Sequence, residues 1–192
     1  MGTAAIPIGP PFDVPDFTIS GTLPPFQGPT PTDPSLMSPY PTSLKQIATK
    51  LCFSTQRKEI FRGLLRYRQQ LESLGLVVGF QWLSGSFMEE IEMLEARDPR
   101  DIDVITFCHR PASVADDAAW QAFLASNMAF VDPLAVKAAF NCHVFFVDLN
   151  IEPLSIVDQT RYWFGLFSHR RGGLWKGMLQ VPLSVSADDA DA

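Results

Sequence analysis

Residues 79–107 read GFQWLSGSFMEEIEMLEARDPRDIDVITF, and the order of their parts decides the fold. The apolar run Leu76 to Leu83 ends in the small residues Ser84, Gly85 and Ser86. A short run of this kind, bounded by turn residues, predicts a strand that leaves through a tight turn. Met88 to Ala96, rich in Glu, Met and Leu, predicts a helix that Asp98-Pro99 breaks. Ile102 to Phe107 is then a second strand. Fourteen residues separate the Gly85-Ser86 pair from Asp101-Ile102-Asp103. A glycine–serine turn offers backbone N–H groups and a hydroxyl to phosphate oxygens. Aspartates at i and i+2 of a strand share one face. Carboxylates on one face bind Mg2+, and Mg2+ binds nucleotide phosphates. The combination points to nucleotide chemistry.

Outward from this stretch, strands and helices alternate. A helix is predicted from Ser43 to about Leu51, and Ser54 caps a longer one whose stripe is Ile60, Leu64, Leu65, Tyr67 and Leu71, closed by Gly75. Val114 to Ser126 and Pro133 to Phe140 follow as helices, with Asp132 as a cap. Cys142 to Leu149 (CHVFFVDL) is a third strand, Ile156 to Phe167 an aromatic-rich helix, and Leu179 to Val185 an edge strand. This order indicates an α/β (α+β) domain with a short mixed sheet and flanking helices. The domain spans residues 43–186, with an acidic tail at 187–192.

Residues 1–42 hold eleven of the 16 prolines. Proline lacks an N–H donor, so neither a helix nor a central strand is expected there. Ile6, Phe12, Val14, Phe17, Leu23, Phe26 and Tyr40 are more apolar side chains than a purely solvated linker carries. An extended arm, partly docked on the domain and loose in its first ten residues, is the expectation.

A chain of 192 residues suits one globular domain with an arm, and an apolar content of 46% with 15 Phe and 4 Trp is ample for a core. The net charge of −6 and a pI near 5.0 argue against an electrostatic binder of nucleic acid, although a local basic patch is left open. Three cysteines without framework spacing favour a reducing compartment. The N-terminus has no cationic segment followed by an apolar run, and no apolar stretch is long enough to span a bilayer. A soluble, cytoplasmic protein without membrane partners is expected.

The 79–107 segment resembles the core of the DNA polymerase β-like nucleotidyltransferase superfamily, in which a strand, a Gly-Ser turn and a helix precede a strand with two acids one residue apart. The likeness covers residues 76–108 well and 141–149 loosely. The flanks YPTSLKQIATKLCFSTQRKEIFRGLLRYRQQLESLG and YWFGLFSHRRGGLWKGM resemble minimal bacterial nucleotidyltransferase-like proteins. The gap between turn and acids is slightly longer than is usual there. The resemblance implies Mg2+-dependent transfer of a nucleoside monophosphate from an NTP, ATP foremost, to a hydroxyl. Asp101 and Asp103 would hold the metal, and Gly85 and Ser86 the phosphates. It also implies an alternative, a catalytically silent partner-binding protein such as an antitoxin or complex subunit. Relatives of this kind occur in bacterial toxin–antitoxin and phage-defence modules. The partner would dock on the N-terminal arm or the aromatic-rich C-terminal region.

A third carboxylate usually completes the metal site. Asp148 is the only acid on the third strand, and His143 competes for the place. Their parity differs, so a regular strand cannot turn both towards the metals. Asp148 is the expected ligand because it is the strand's one acid, completing the catalytic and metal set Asp101, Asp103 and Asp148; His143 in its place would make the protein a weak catalyst, a Mn2+ user or a binder only.

Arg170, Arg171 and Lys176, with Trp175 between them, could clamp a triphosphate and stack a base. Equally, the two arginines could complement the end of the preceding helix. Arg57, Lys58, Arg62, Arg66 and Arg68 read as the solvated face of the long helix. The pairs Cys108-His109 and Cys142-His143 invite a zinc reading. Adjacent strand residues point to opposite faces, so buried free thiols are expected instead. No G-x-S-x-G elbow surrounds Ser86, which disfavours a hydrolase nucleophile.

Overall fold

A computed structural model describes residues 13–184. Five strands form one open mixed sheet: β1 (Tyr40–Pro41), β2 (Gly79–Ser84), β3 (Ile102–Cys108), β4 (Cys142–Asp148) and β5 (Leu179–Pro182), in the spatial order β1-β5-β2-β3-β4. The β2–β3 and β2–β5 pairs are antiparallel, whereas β3–β4 and β1–β5 are parallel. Seven α-helices accompany them among the described residues: α1 (Leu44–Leu51), α2 (Thr55–Ser73), α3 (Ile91–Glu95), α4 (Asp117–Ser126), α5 (Met128–Val131), α6 (Pro133–Phe140) and α7 (Pro153–Phe167). None is long and apolar enough to cross a membrane. The α/β class expected from the alternation is the observed one.

Strand alternation divides the core. Ile102, Val104 and Cys108 of β3, with Cys142 and Val144 of β4, face the layer holding Ile47, Ile60, Leu64, Leu71 and Val136. Ile105, Phe107 and Val147 face the opposite way, against Trp163, Phe164 and Phe167 of α7. Helix starts follow local chemistry. The side chains of Ser43, Ser54 and Asp132 accept from backbone N–H groups of the first turns of α1, α2 and α6. Gly75, at φ +78, ends α2 as read from the sequence.

Two elements differ from expectation. Leu179–Pro182 is not an edge strand, because β1 lies outside it. The arm achieves this despite its prolines. Tyr40 and Thr42 donate their N–H groups to Met178 and Gln180, while Pro41 between them has no donor to lose. The helix expected from Met88 to Ala96 shrinks to Ile91–Glu95 after a 3-10 turn at Ser86–Met88. Glu89 is extended there, bridged to Thr22, and the Glu90 amide donates to Gly21. Tertiary pairing overrides helical propensity in this stretch.

The arm residues Val14, Leu23 and Tyr40 belong to the main core. Ile6, Phe12, the first ten residues and the tail at 187–192 lie outside the described residues.

Candidate functional site

The turn from β2 brings the chain back against the start of β3. Ser84 pairs with Asp103 across the antiparallel ladder, so Gly85 lies directly beside that aspartate. Gly85 has φ +84, and a Cβ there would meet Asp103 Oδ2 at 2.7 Å. Glycine is therefore needed twice over, for backbone sign and for space. Ser86 follows on the cavity wall, and its amide and hydroxyl have no hydrogen-bond partner among the described residues. Ser84 donates its hydroxyl to the Phe167 carbonyl at 3.0 Å, which ties the turn to the end of α7.

Gly85, Ser86, Asp101, Asp103, His143, Arg170, Arg171 and Lys176 line one cavity of about 780 Å3. Its volume falls within the range of small-molecule sites. Glu89, Glu95, Arg97, Arg100, Lys137, Phe145 and Leu174 complete much of the wall.

The third strand resolves the parity question against Asp148. In the parallel register, Asp103 stands opposite His143, and Cys108 at the far end stands opposite Asp148. The Asp148 carboxylate accepts from Arg110 Nε at 2.7 Å, outside the cavity lining. Its expected role as catalytic acid and metal ligand is therefore corrected. A strand puts residues five apart on opposite faces, and Asp148 has the face away from the aspartate pair. His143 takes the place beside Asp103, with Nδ1 3.2 Å from Oδ1. Asp101, just before β3, forms an ion pair with Lys137 from the last turn of α6.

Electrostatics distinguish the two aspartates. Burial raises the Asp103 carboxyl above the ordinary range and the Asp101 charge adds to this, against the pull of His143 and Lys176. Among the described residues, no group of three or more His, Cys, Asp or Glu could by itself hold a metal ion. Two carboxylates remain a donor set of the kind Mg2+ uses, since that ion takes one or two carboxylates and completes its shell with substrate phosphates and water.

The basic cluster is divided in role. Lys176, 4% exposed, donates to Glu89 Oε1 at 2.6 Å and to the Gly85 carbonyl at 3.1 Å. It holds the turn rather than reaching freely for a ligand. Arg170 is paired with both Glu89 and Glu95. Arg171 is exposed and has no ionic partner among the described residues. Trp175 packs on Phe26 of the arm, with ring centroids 5.9 Å apart, and is not part of the cavity wall.

Reading the α2 arginines as one solvated face missed two of them. Arg57 and Arg68 are buried, because positions 57, 61, 64 and 68 form one helical stripe with Phe61 and Leu64. That spacing was the signal available in the sequence. Glu89 and Lys137 carried no motif, and only the fold brings them to the cavity. Cys108 and Cys142 are buried free thiols, and burial pushes Cys108 up to about 12.

Residues 15–182 match DUF6932, a family of unknown function. No curated protein and no solved structure matches the chain.

Proposed function

We propose that this chain, which belongs to the DUF6932 family, is a nucleotidyltransferase with a polymerase-β-like active site. The observation that supports the reading is convergence. The glycine–serine turn, both aspartates and a basic wall share one cavity although they come from distant parts of the chain. Asp101 and Asp103 would hold a divalent cation, which supplies charge neutralisation at the triphosphate. His143 beside them is an imidazole donor, which suits Mn2+ better than Mg2+. Ser86 and the exposed Arg100 and Arg171 face the triphosphate, and Lys176 keeps the turn in place through the Gly85 carbonyl.

In the reaction, an acceptor hydroxyl attacks the α-phosphorus of the NTP, ATP foremost. The new O–P bond forms as the bond to the bridging oxygen breaks, and pyrophosphate leaves with that electron pair. The hydroxyl proton passes to solvent water, and Asp103 holds the His143 ring beside the pair of aspartates through Nδ1. Labelling by radioactive NTP with Mg2+ or Mn2+ tests the assignment. Asp101→Ala and Asp103→Ala should each abolish the label, and persistence of labelling in both rules the assignment out.

One observation favours a second reading, a nucleotide-binding module without turnover. His143 stands opposite Asp103, where the resemblance would have a third carboxylate, and Asp101 already has Lys137 as counter-ion. A partner would then meet the outward face of α7, where Leu154, Val157 and Tyr162 are exposed. Calorimetric binding of ATP with Mn2+ and no labelled or released product would select this reading over the first.

A further inference from the structure

Three of the four acids on the cavity wall are matched to a cation of this chain. Glu89 is paired with Lys176 and Arg170, Glu95 with Arg170 and Arg97, and Asp101 with Lys137, while Asp103 shares a hydrogen bond with His143. These pairs differ in whether they can open. The Glu89 and Lys176 side chains are 6% and 4% exposed, so withdrawing Lys176 would remove one of the two cations that balance a carboxylate shut off from water. Lys137 is different: its side chain is 45% exposed, extends from the end of α6, and lines the cavity. A flexible four-carbon stem lets its ammonium reach more than one partner. Asp101, 16% exposed, would lose its counter-charge when Lys137 leaves, unless another cation arrives.

Resting on the metal and nucleotide reading of this cavity, we infer that Lys137 is an exchange cation. It neutralises Asp101 when no metal is bound, and it turns to a triphosphate oxygen when a divalent cation takes the carboxylate. A metal ion alone must displace the ammonium and offers it nothing in return. A metal–triphosphate chelate replaces the charge at Asp101 and also brings Lys137 a new anionic partner. Lys137 thereby selects the chelate over the free metal, a preference that the aspartates cannot supply by themselves.

The test is Mn2+ binding to the full chain, followed by electron paramagnetic resonance, with the metal alone and with a non-hydrolysable ATP analogue. The proteins compared are the unsubstituted chain, Lys137→Gln, Lys137→Arg and Asp103→Asn. Lys137→Gln should bind Mn2+ alone about threefold to fivefold more tightly, the scale of a partly exposed ion pair. It should bind the Mn2+–analogue chelate more weakly by a similar factor. Lys137→Arg keeps the charge and should follow the unsubstituted chain with metal alone. Loss of a merely structural side chain would move both affinities in the same direction, and that result overturns the inference. Unchanged Mn2+ affinity in Lys137→Gln, with binding lost in Asp103→Asn, also overturns it but leaves the cavity's reading standing. Mn2+ retained by none of the proteins, with or without the analogue, overturns both.

Discussion

At Asp103, demands of site and stability oppose each other. Burial raises its native pKa, and the neighbouring Asp101 charge adds to the effect. The folded chain therefore keeps this proton at pH values where the unfolded chain, titrating near 3.8, has released it. Stability falls as pH rises from that value through the folded pKa, and ionised Asp103 is a net cost at neutral pH. Asp103→Asn should raise the melting temperature at pH 7 by about 2–4 °C for each 1 kcal/mol relieved. The gain should vanish below the unfolded pKa, where both side chains are neutral. A variant melting at or below the parent at pH 7 would contradict this account. Asp101 and Asp103 were legible because an i, i+2 pair needs only local geometry. Asp148 misled because being the sole acid on β4 says nothing about which end of that strand meets the turn.

The segment between β2 and β3 depends on α2. Arg57, wholly buried, donates to the Phe87 and Glu89 carbonyls and to both carboxylate oxygens of Glu92. Its guanidinium also lies 4.4 Å from the centre of the Phe53 ring. Burial works to raise the Glu92 carboxyl, but the hydrogen bond and charge of Arg57 outweigh it and leave the pKa lowered. Glu92 thus stabilises the fold above its unfolded value of 4.5, and that contribution is lost as pH falls through the lower folded value. Arg57→Met should cost about 3 kcal/mol or more in urea denaturation, because two carbonyls and a carboxylate lose their donor. Denaturation unchanged from the parent would show that the clamp contributes nothing. The helix expected from Met88 to Ala96 has adequate propensity, yet Arg57 and the arm compete for its backbone. No window of local sequence contains that competition.

For the whole molecule, the arm is structural over its described part. The Tyr40 hydroxyl donates to the Pro24 carbonyl at 2.9 Å, and the Gly177 amide donates to the Leu23 carbonyl at 2.8 Å. A Cβ on Gly177 would meet the Pro24 carbonyl oxygen at 2.3 Å, so the two segments approach as closely as backbone allows. Removing residues through Pro41 would delete β1 and uncover β5, and such a chain should lose cooperative thermal unfolding. Tyr40→Ala, a smaller change at the same place, should cost about 3–5 kcal/mol. A truncated chain that melts as sharply as the full one would demote the arm to an accessory. The sequence by itself determined the α/β class, most helix limits, the glycine–serine turn and the paired aspartates. Each of these is written in periodicity, capping or turn chemistry within a few residues. Only the tertiary structure decided that β1 covers β5, that His143 rather than Asp148 stands beside Asp103, and that Lys137 and Glu89 join the cavity. Those outcomes depend on strand order, register and helix placement, which arise from contacts between residues far apart in the chain.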